Sequence, residues 1–450
     1  MSKILYVTTI SMTLDYFLKG TMTELVKAGH EVVAVSSPGE WMAAVKALEG
    51  VKVVEVPMER RIAPFKDLRS LLRLYKVLRE ERPDIVHSFT PKAGLLAMMA
   101  SKFAGIKVRI HTFTGLVFPT STGLKRRLLM TTDRLTCACA TNIIAEGQGV
   151  RNDLLSAGIT HKDVRVLGHG NIRGIDLERY DRTPEIMQLA EKLRVPDAFT
   201  FLFVGRLVRD KGIAELCEAF RHISAAASTS QATIDPDRAQ SGSGIGGQDL
   251  PRRSICPGTA QSESGIGGQD LPRRPFTRIG REAQGAWGAS CRRTSRTRMV
   301  LVGPFEDDVD PVPEETRRYI ERTPEIITTG EIKGPELLAW YAASDCFVLP
   351  SYREGFPNTV IEAGAMGLPS IVTDINGSRE IISDGINGLV VPPKNVEALS
   401  EAMKKMLIDS DFRERVASVS RDMIASRFEQ GYVRKCLLDF YHSVLWVNNL

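Results

Sequence analysis

Glu354 and Glu362 lie eight residues apart in a stretch, residues 345–392, that opens on the apolar run Cys346-Phe347-Val348-Leu349-Pro350. The run has the length of a buried strand bounded by turn residues. A loop over residues 351–357 follows it, and then a helix from about Asn358 to Met366. This puts Glu354 on the loop and Glu362 on the helix. A helix that begins at the C-terminal end of a parallel strand points unpaired N–H groups and a positive dipole end into the cleft, where anions bind. Ionised carboxylates only accept hydrogen bonds, so two of them beside an anion site suit a ligand that carries both phosphates and hydroxyls. The chemistry implied is that of a nucleotide-sugar site.

Glu354-Gly355-Phe356-Pro357-Asn358 followed by Glu362 resembles the E-x7-E signature of the retaining glycosyltransferases of family 4. Gly367-Leu368-Pro369, Gly377-Ser378-Arg379-Glu380 and Asp384-Gly385-Ile386-Asn387-Gly388 resemble the same family. A lone pair of glutamates arises often by chance, as in an ordinary strand–helix unit with two solvated carboxylates. Several blocks in order within one stretch are specific.

The resemblance covers nearly all of the chain outside residues 224–297. It implies two facing Rossmann-like domains with doubly wound parallel sheets, the GT-B architecture, and transfer of a hexose-type sugar from a nucleoside diphosphate, UDP foremost, with retention at the anomeric carbon. Glu354 would bind the donor sugar and fix it for attack, and Glu362 would bind the ribose hydroxyls. Gly355, Phe356 and the N–H groups near Asn358 and Thr359 would complete the donor site. Arg206 and Lys211, after the apolar run Phe201-Leu202-Phe203-Val204, resemble the family's pair that grips the diphosphate. Arg can do so bidentately and Lys as a point charge, which would remove the need for a metal; no cofactor is implied. His111, in Val108-Arg109-Ile110-His111-Thr112-Phe113, ends a strand where open α/β sheets bind ligands, and would orient the sugar from the other domain. No general base is evident, consistent with the family's front-side mechanism, in which the leaving-group oxygen takes the acceptor proton.

The elements that must position these residues follow from pattern. A chain of 450 residues should hold two domains. Residues 3–8, 31–36 and 51–56 read as strands of a βαβ opening whose first helix stops at Gly29. Thr9-Ile10-Ser11-Met12-Thr13 stands where many members of the family have a Gly-Gly pair. The first domain is expected over residues 1–170, a hinge over 171–182 containing Gly174-Ile175-Asp176, the second domain over 183–430, and a terminal helix over 431–450 that crosses back to the first domain. Thr90 to Gly94 and Thr112 to Gly115 resemble the subgroup that glycosylates polyprenyl-diphosphate-linked sugars, so the acceptor implied is a lipid-linked saccharide of a surface polysaccharide pathway.

A helix from about Phe65 carries Leu68, Leu71, Leu72, Tyr75 and Leu78 on one face and Arg69, Arg73, Lys76 and Arg79 on the other. With Lys125, Arg126 and Arg127 it suggests a peripheral contact with an anionic membrane; the alternative is a sheet-packed helix with a solvated basic face. No apolar run approaches the ~20 residues of a span. The N-terminus enters a strand without a cleavable leader pattern, and seven scattered cysteines suit reduced thiols, so the cytoplasm or the inner membrane face is expected. Cys137 and Cys139 read as small buried helix residues rather than metal ligands.

Residues 224–298 hold eleven arginines, no lysine and six acidic residues, and so carry the whole net charge of +5. Within them SGIGGQDLPRR occurs at 243–253 and again at 264–274. Such identity in a Gly/Ser/Arg-rich stretch points to a low-complexity insertion over 224–297, with the fold resuming at Met299. Few aromatics accompany the arginines, which argues against a nucleic-acid tether. Glu306-Asp307-Asp308-Val309-Asp310 offers a D-x-D but reads as a solvated acidic loop. Two other functions remain open: a nucleotide-sugar epimerase on the same architecture, and a transferase inactivated by the insertion.

Overall fold

The computed structural model describes residues 2–48, 50–60, 63–232, 296–307 and 310–448. The repeat-containing insertion therefore lies almost wholly outside the described residues. The chain divides into one unit made of residues 1–225 and 294–450 and a second made of residues 226–293.

Two parallel sheets organise the first unit. The first takes β1 (Lys3–Val7), β2 (Glu31–Ser36), β3 (Val51–Glu55), β4 (Ile85–Ser88), β5 (Val108–Phe113), β6 (Asn142–Ala145) and β7 (Val164–Arg165) in the order β3-β2-β1-β4-β5-β6-β7. The second takes β8 (Ala198–Val204), β9 (Arg296–Val302), β10 (Ile326–Gly330), β11 (Cys346–Leu349), β12 (Ser370–Thr373) and β13 (Gly388–Val391) in the order β10-β9-β8-β11-β12-β13. Ile4–Val7 and Cys346–Leu349 are apolar at nearly every position because helices cover both faces of such a sheet. Strand order reverses between β1 and β4 and between β8 and β11, and each reversal opens a crevice at the C-terminal strand ends. Thr9 and Thr90 flank the first crevice; Arg206, Lys211 and Glu354 flank the second.

The chain crosses between lobes twice, at one place. The Ile175 N–H donates to Phe428 O (2.7 Å) and the Gln430 N–H donates to Ile175 O (2.9 Å), so the outgoing and returning segments pair. Gly174 beside them has φ +67°, and a Cβ there would stand 2.5 Å from Gln430 Cα; no other residue type fits without moving the crossing. The helix Gln430–Val447 then lies on the first lobe, with Phe440, Tyr441, Val444 and Leu445 in the same core as Ile4, Tyr6 and Leu18. The buried Tyr441 hydroxyl is 2.6 Å from His87 Nδ1 and 2.8 Å from the Tyr6 hydroxyl. Burial holds the His87 imidazole well below its usual pKa, so it joins this network neutral.

Three readings need correction. The helix Pro64–Glu81 buries Ser70, Leu74 and Leu78, while Phe65, Leu68, Leu72 and Tyr75 point outward. Its apolar residues form two stripes, and periodicity does not say which one the sheet takes. The helix Ile213–Ala232 runs past Ser224, and β9 begins at Arg296 rather than Met299, pairing Arg296 with Ala198. Arg298, counted with the basic segment 224–298 in the charge tally, is a buried strand residue whose Nε donates to Thr200 Oγ1 (2.8 Å) and Nη2 to Leu193 O (2.6 Å).

Candidate active site

The second lobe brings Lys211 and Glu354 together. A short turn, Arg209–Lys211, follows β8, and the loop 351–357 follows β11; the Lys211 ammonium donates to Glu354 Oε1. The Ser351 hydroxyl donates to the same oxygen at 2.8 Å. Both side chains of the pair are 15% exposed, so cation and carboxylate stand at the crevice wall. Arg206 is turned to the rim, where Nη1 donates to Glu306 Oε2 at 2.7 Å.

The loop after β5 meets this loop backbone to backbone. A Cβ at Gly355 would stand 2.0 Å from Thr114 O, so only glycine lets the strand end that carries His111 approach the loop that carries Glu354. His111 itself is 1% exposed, its Nδ1 lies 2.9 Å from Ser88 Oγ, and its ring stands edge-on to Phe113 at 4.4 Å. Burial pushes its pKa down to about 3, so at neutral pH it is an uncharged hydrogen-bonding group, not a cation for the diphosphate. Phe356 is buried against Phe428 (5.4 Å between ring centroids) and offers a ligand no more than its backbone. Asn358 opens the helix Asn358–Ala365, and its Oδ1 accepts from Asn171 Nδ2 of the crossing segment (3.0 Å). Thr359 is half-buried in the first turn.

Glu362 is 2% exposed, and four protein donors reach it. Oε1 accepts from Arg173 Nη1 (2.8 Å), the Tyr180 hydroxyl (2.8 Å) and the Tyr16 hydroxyl (3.1 Å); Oε2 accepts from the Tyr341 hydroxyl (3.1 Å). Burial, and then the Glu362 charge, raise the pKa of each tyrosine, so all three remain donors. None of these four residues carried a signal in the sequence.

Two further carboxyls stand here, Glu380 of the Gly377-Ser378-Arg379-Glu380 block and Glu146, neither given a role by the sequence. Glu380 reaches across the lobes: its Oε2 accepts the Gln148 N–H (2.6 Å) and its Oε1 the Gly149 N–H (2.9 Å), at the start of the helix Gln148–Ser156. A negative charge is favourable at that helix end. Beside it Asn376 Nδ2 donates to Asp153 Oδ2 (2.6 Å). Glu146, at the end of β6, is 4% exposed; burial raises its pKa well above the carboxylate range, the Ile172 N–H opposes that rise, and Glu380 and Glu354 add to it. The Gly147-Gln148-Gly149 run at a helix start was the available clue to this contact. Among the described residues no group of three or more His, Cys, Asp or Glu is placed to hold a metal ion. Of the acidic loop, Asp307 pairs with Arg317 (3.0 Å) and Asp310 Oδ2 accepts the Asp210 N–H (2.9 Å). Cys137 and Cys139 are buried in the helix Gly123–Cys139.

Two doubly wound lobes, joined by paired crossings and carrying an ion-paired lysine and glutamate at one switch point, define a glycosyltransferase of the GT-B class. Residues 17–170 match the glycosyl transferase 4-like domain and residues 285–409 match the glycosyl transferases group 1 domain, one per lobe. The chain belongs to this family, the retaining glycosyltransferases of family 4. It is 24% identical over 444 residues to the capsular polysaccharide biosynthesis glycosyltransferase CapM of Staphylococcus aureus, covering 98% of this chain and 97% of that one. It is 25% identical to the Escherichia coli UDP-Gal:alpha-D-GlcNAc-diphosphoundecaprenol alpha-1,3-galactosyltransferase, over 80% of this chain and 76% of that one. Among solved structures, Anabaena HepE in complex with UDP and glucose superposes with TM-score 0.67 at 16% identity, over 98% of this chain and all (100%) of that one. WaaG, a glycosyltransferase involved in lipopolysaccharide biosynthesis, superposes with TM-score 0.59 at 16% identity, over 96% and 98% of the two chains.

Proposed function

We propose that this enzyme moves a hexose, with retention, from a UDP-sugar to a lipid-linked saccharide during assembly of a surface polysaccharide. The observation that carries the reading is the Lys211–Glu354 pair at the ends of the β8 turn and the β11 loop. A donor diphosphate entering the crevice takes Lys211 as its counter-charge and draws Arg206 in from Glu306. Glu354, released from the ammonium, accepts from the sugar hydroxyls and fixes the ring for attack on its anomeric carbon. The N–H groups at Gly355, Asn358 and Thr359 and the two cations stabilise the charge that grows on the departing diphosphate, where preorganised donors act most strongly. The leaving oxygen takes the acceptor proton. Neutral His111 orients the sugar from the first lobe, and Glu362 receives the ribose hydroxyls. The names of the CapM and galactosyltransferase relatives, and the UDP and glucose held by HepE, support the donor and acceptor classes.

The acceptor's lipid argues for a membrane surface, and the first lobe offers one. Phe65 (91% exposed), Leu72 (60%) and Leu124 (82%) stand out among Lys66, Arg69, Arg73, Lys76, Lys125, Arg126 and Arg127. This combination binds peripherally to anionic headgroups; no helix among the described residues is long and apolar enough to cross a membrane. A cytoplasmic location, on the inner membrane face, follows from this reading.

Incubation with labelled UDP-glucose or UDP-galactose and a diphosphate-linked polyprenyl saccharide tests the proposal. The expected result is label in the lipid extract with the donor's anomeric configuration. Label kept in a free, epimerised nucleotide sugar would instead favour the epimerase, and folded protein that binds neither nucleotide sugar would refute both.

A further inference from the structure

The four donors on Glu362 fall into two kinds. Tyr180 and Tyr341 are buried in the second lobe's core at 3% and 0% exposure, and they are fixed there. Tyr16 and Arg173 come from elsewhere. Tyr16 belongs to the first lobe, in a wide π turn over Leu14–Leu18 after β1, and remains 42% exposed; Arg173 lies on the crossing segment. The Arg173 guanidinium stacks on the Tyr16 ring, 3.9 Å from its centroid. The two therefore act as one body that reaches Glu362 from outside its lobe. Such π turns interrupt helices frequently at functional sites.

A carboxylate offers about four lone-pair positions. Three donors already crowd Oε1 and one holds Oε2, and at 2% exposure the carboxylate is closed to a ligand while Tyr16 and Arg173 stay in place. A ribose diol brings two O–H donors, the same number as the two displaceable groups. We propose that Tyr16 and Arg173 form a plug on Glu362, standing where the donor's ribose hydroxyls bind, so that nucleotide entry exchanges an interlobe contact for a ligand contact and frees the first lobe's π turn. This rests on the reading of Glu362 as the ribose ligand. It makes Tyr16 and Arg173 positioning residues: they tune donor affinity and couple donor arrival to movement between lobes without touching the reacting atoms.

The plug lowers apparent donor affinity by the fraction of molecules it leaves open. Tyr16→Phe removes one hydrogen bond to a charged acceptor and keeps the ring on Arg173. UDP should then bind about 5- to 20-fold more tightly by calorimetry, with thermal melting confirming that the variant folds. The gain should be smaller for 2′-deoxy-UDP, which competes through one hydroxyl fewer. Donor KM should fall more than kcat changes, an outcome that a structural role for Tyr16 would not produce. If the wild type prefers UDP to 2′-deoxy-UDP but Tyr16→Phe leaves UDP affinity unchanged or weaker, the ribose reading stands and the plug is wrong. If the wild type does not distinguish the two nucleotides, the ribose reading fails and the plug with it. Arg173→Gln provides a second variant, expected to shift UDP affinity in the same direction.

Discussion

Lys211 and Glu354 come from loops that follow different strands of one sheet, and yet form a single ion pair, with Ser351 as the carboxylate's second donor. The cation that would grip the diphosphate and the carboxylate that would hold the sugar are thus oriented by each other. At 15% exposure for each side chain, their contact is shielded from the solvent that leaves surface bridges of little worth.

Replacing either member should separate binding from chemistry. Glu354→Gln keeps the shape and removes the charge; kcat should fall by about 10²-fold or more, the scale of losing one preorganised electrostatic partner. UDP affinity should stay within a few-fold, because Lys211 is set free for the diphosphate. Lys211→Met should instead weaken UDP binding at least 10-fold. Steady-state kinetics and nucleotide titrations on both variants decide this, and equal losses of UDP binding in the two would sink it.

The exposed stripe of Phe65, Leu68 and Leu72 should govern membrane partition. Burying one such side chain is worth about 1.5–3 kcal/mol, so Phe65→Asp with Leu72→Asp should reduce binding to phosphatidylglycerol vesicles by more than 10-fold. Wild-type binding should weaken at high salt and on neutral vesicles. Sedimentation with vesicles of both compositions is the measurement, and salt-independent binding would contradict it.

Residues 226–293 should be dispensable. On either side of them the Ser224 hydroxyl is 3.1 Å from the Thr297 hydroxyl, a gap that a few residues can close. β9 runs parallel to β8 with Arg296 beside Ala198, so this junction lies at the opposite strand ends from Arg206 and Lys211. A short Gly/Ser loop in place of residues 226–293 should preserve folding and leave transfer rates within about threefold. Closing a shorter loop changes stability by only about 0.6 kcal/mol per halving of length. Loss of activity in a folded deletion variant would show that the segment contributes to the reaction.

What the sequence disclosed, and what it hid, follows from the range of each interaction. Glu354 and the helix at Asn358 were legible because a strand, a turn and a helix start are local patterns. Arg206 and Lys211 were singled out by resemblance alone, and local pattern gave no hint that Lys211 would meet Glu354 while Arg206 turned to Glu306. The partners of Glu362 were not, since Tyr16 is 346 residues away and a lone tyrosine in a helical turn announces nothing. The Glu380 contact was hidden because its acceptor is met by backbone N–H groups, which every residue has. In the helix Pro64–Glu81 the spacing was clear, but Leu74 and Leu78 took the sheet while Leu68 and Leu72 did not, a choice made by the neighbouring helix Pro91–Phe103 and not by periodicity.

The buried His111 gives a pH dependence whose sign can be fixed. Its folded pKa is depressed to about 3 by burial, against 6.5 for a free imidazole, so the unfolded chain takes up a proton that the folded chain refuses. The stability it contributes is complete above about pH 6.5 and is lost as pH falls toward 3, by at most ~1.4 kcal/mol per pH unit. Buried acids work the other way, since burial raises Asp133 to about 7 and lifts Glu146 as well, and His87 adds a slope of the same sign as His111. Asp133 and Glu146 are shared by the wild type and His111→Asn and cancel in the difference, and His87, held down first by its own burial and only second by His111, cancels in the main. The stability gap between the two proteins, from urea unfolding at pH 7.5, 6.0 and 4.5, should therefore narrow by about 2.7 kcal/mol across the series. A gap that stays constant would mean that the imidazole is free to protonate in the folded enzyme, and it would then face the diphosphate as a cation instead of orienting the sugar as a neutral donor.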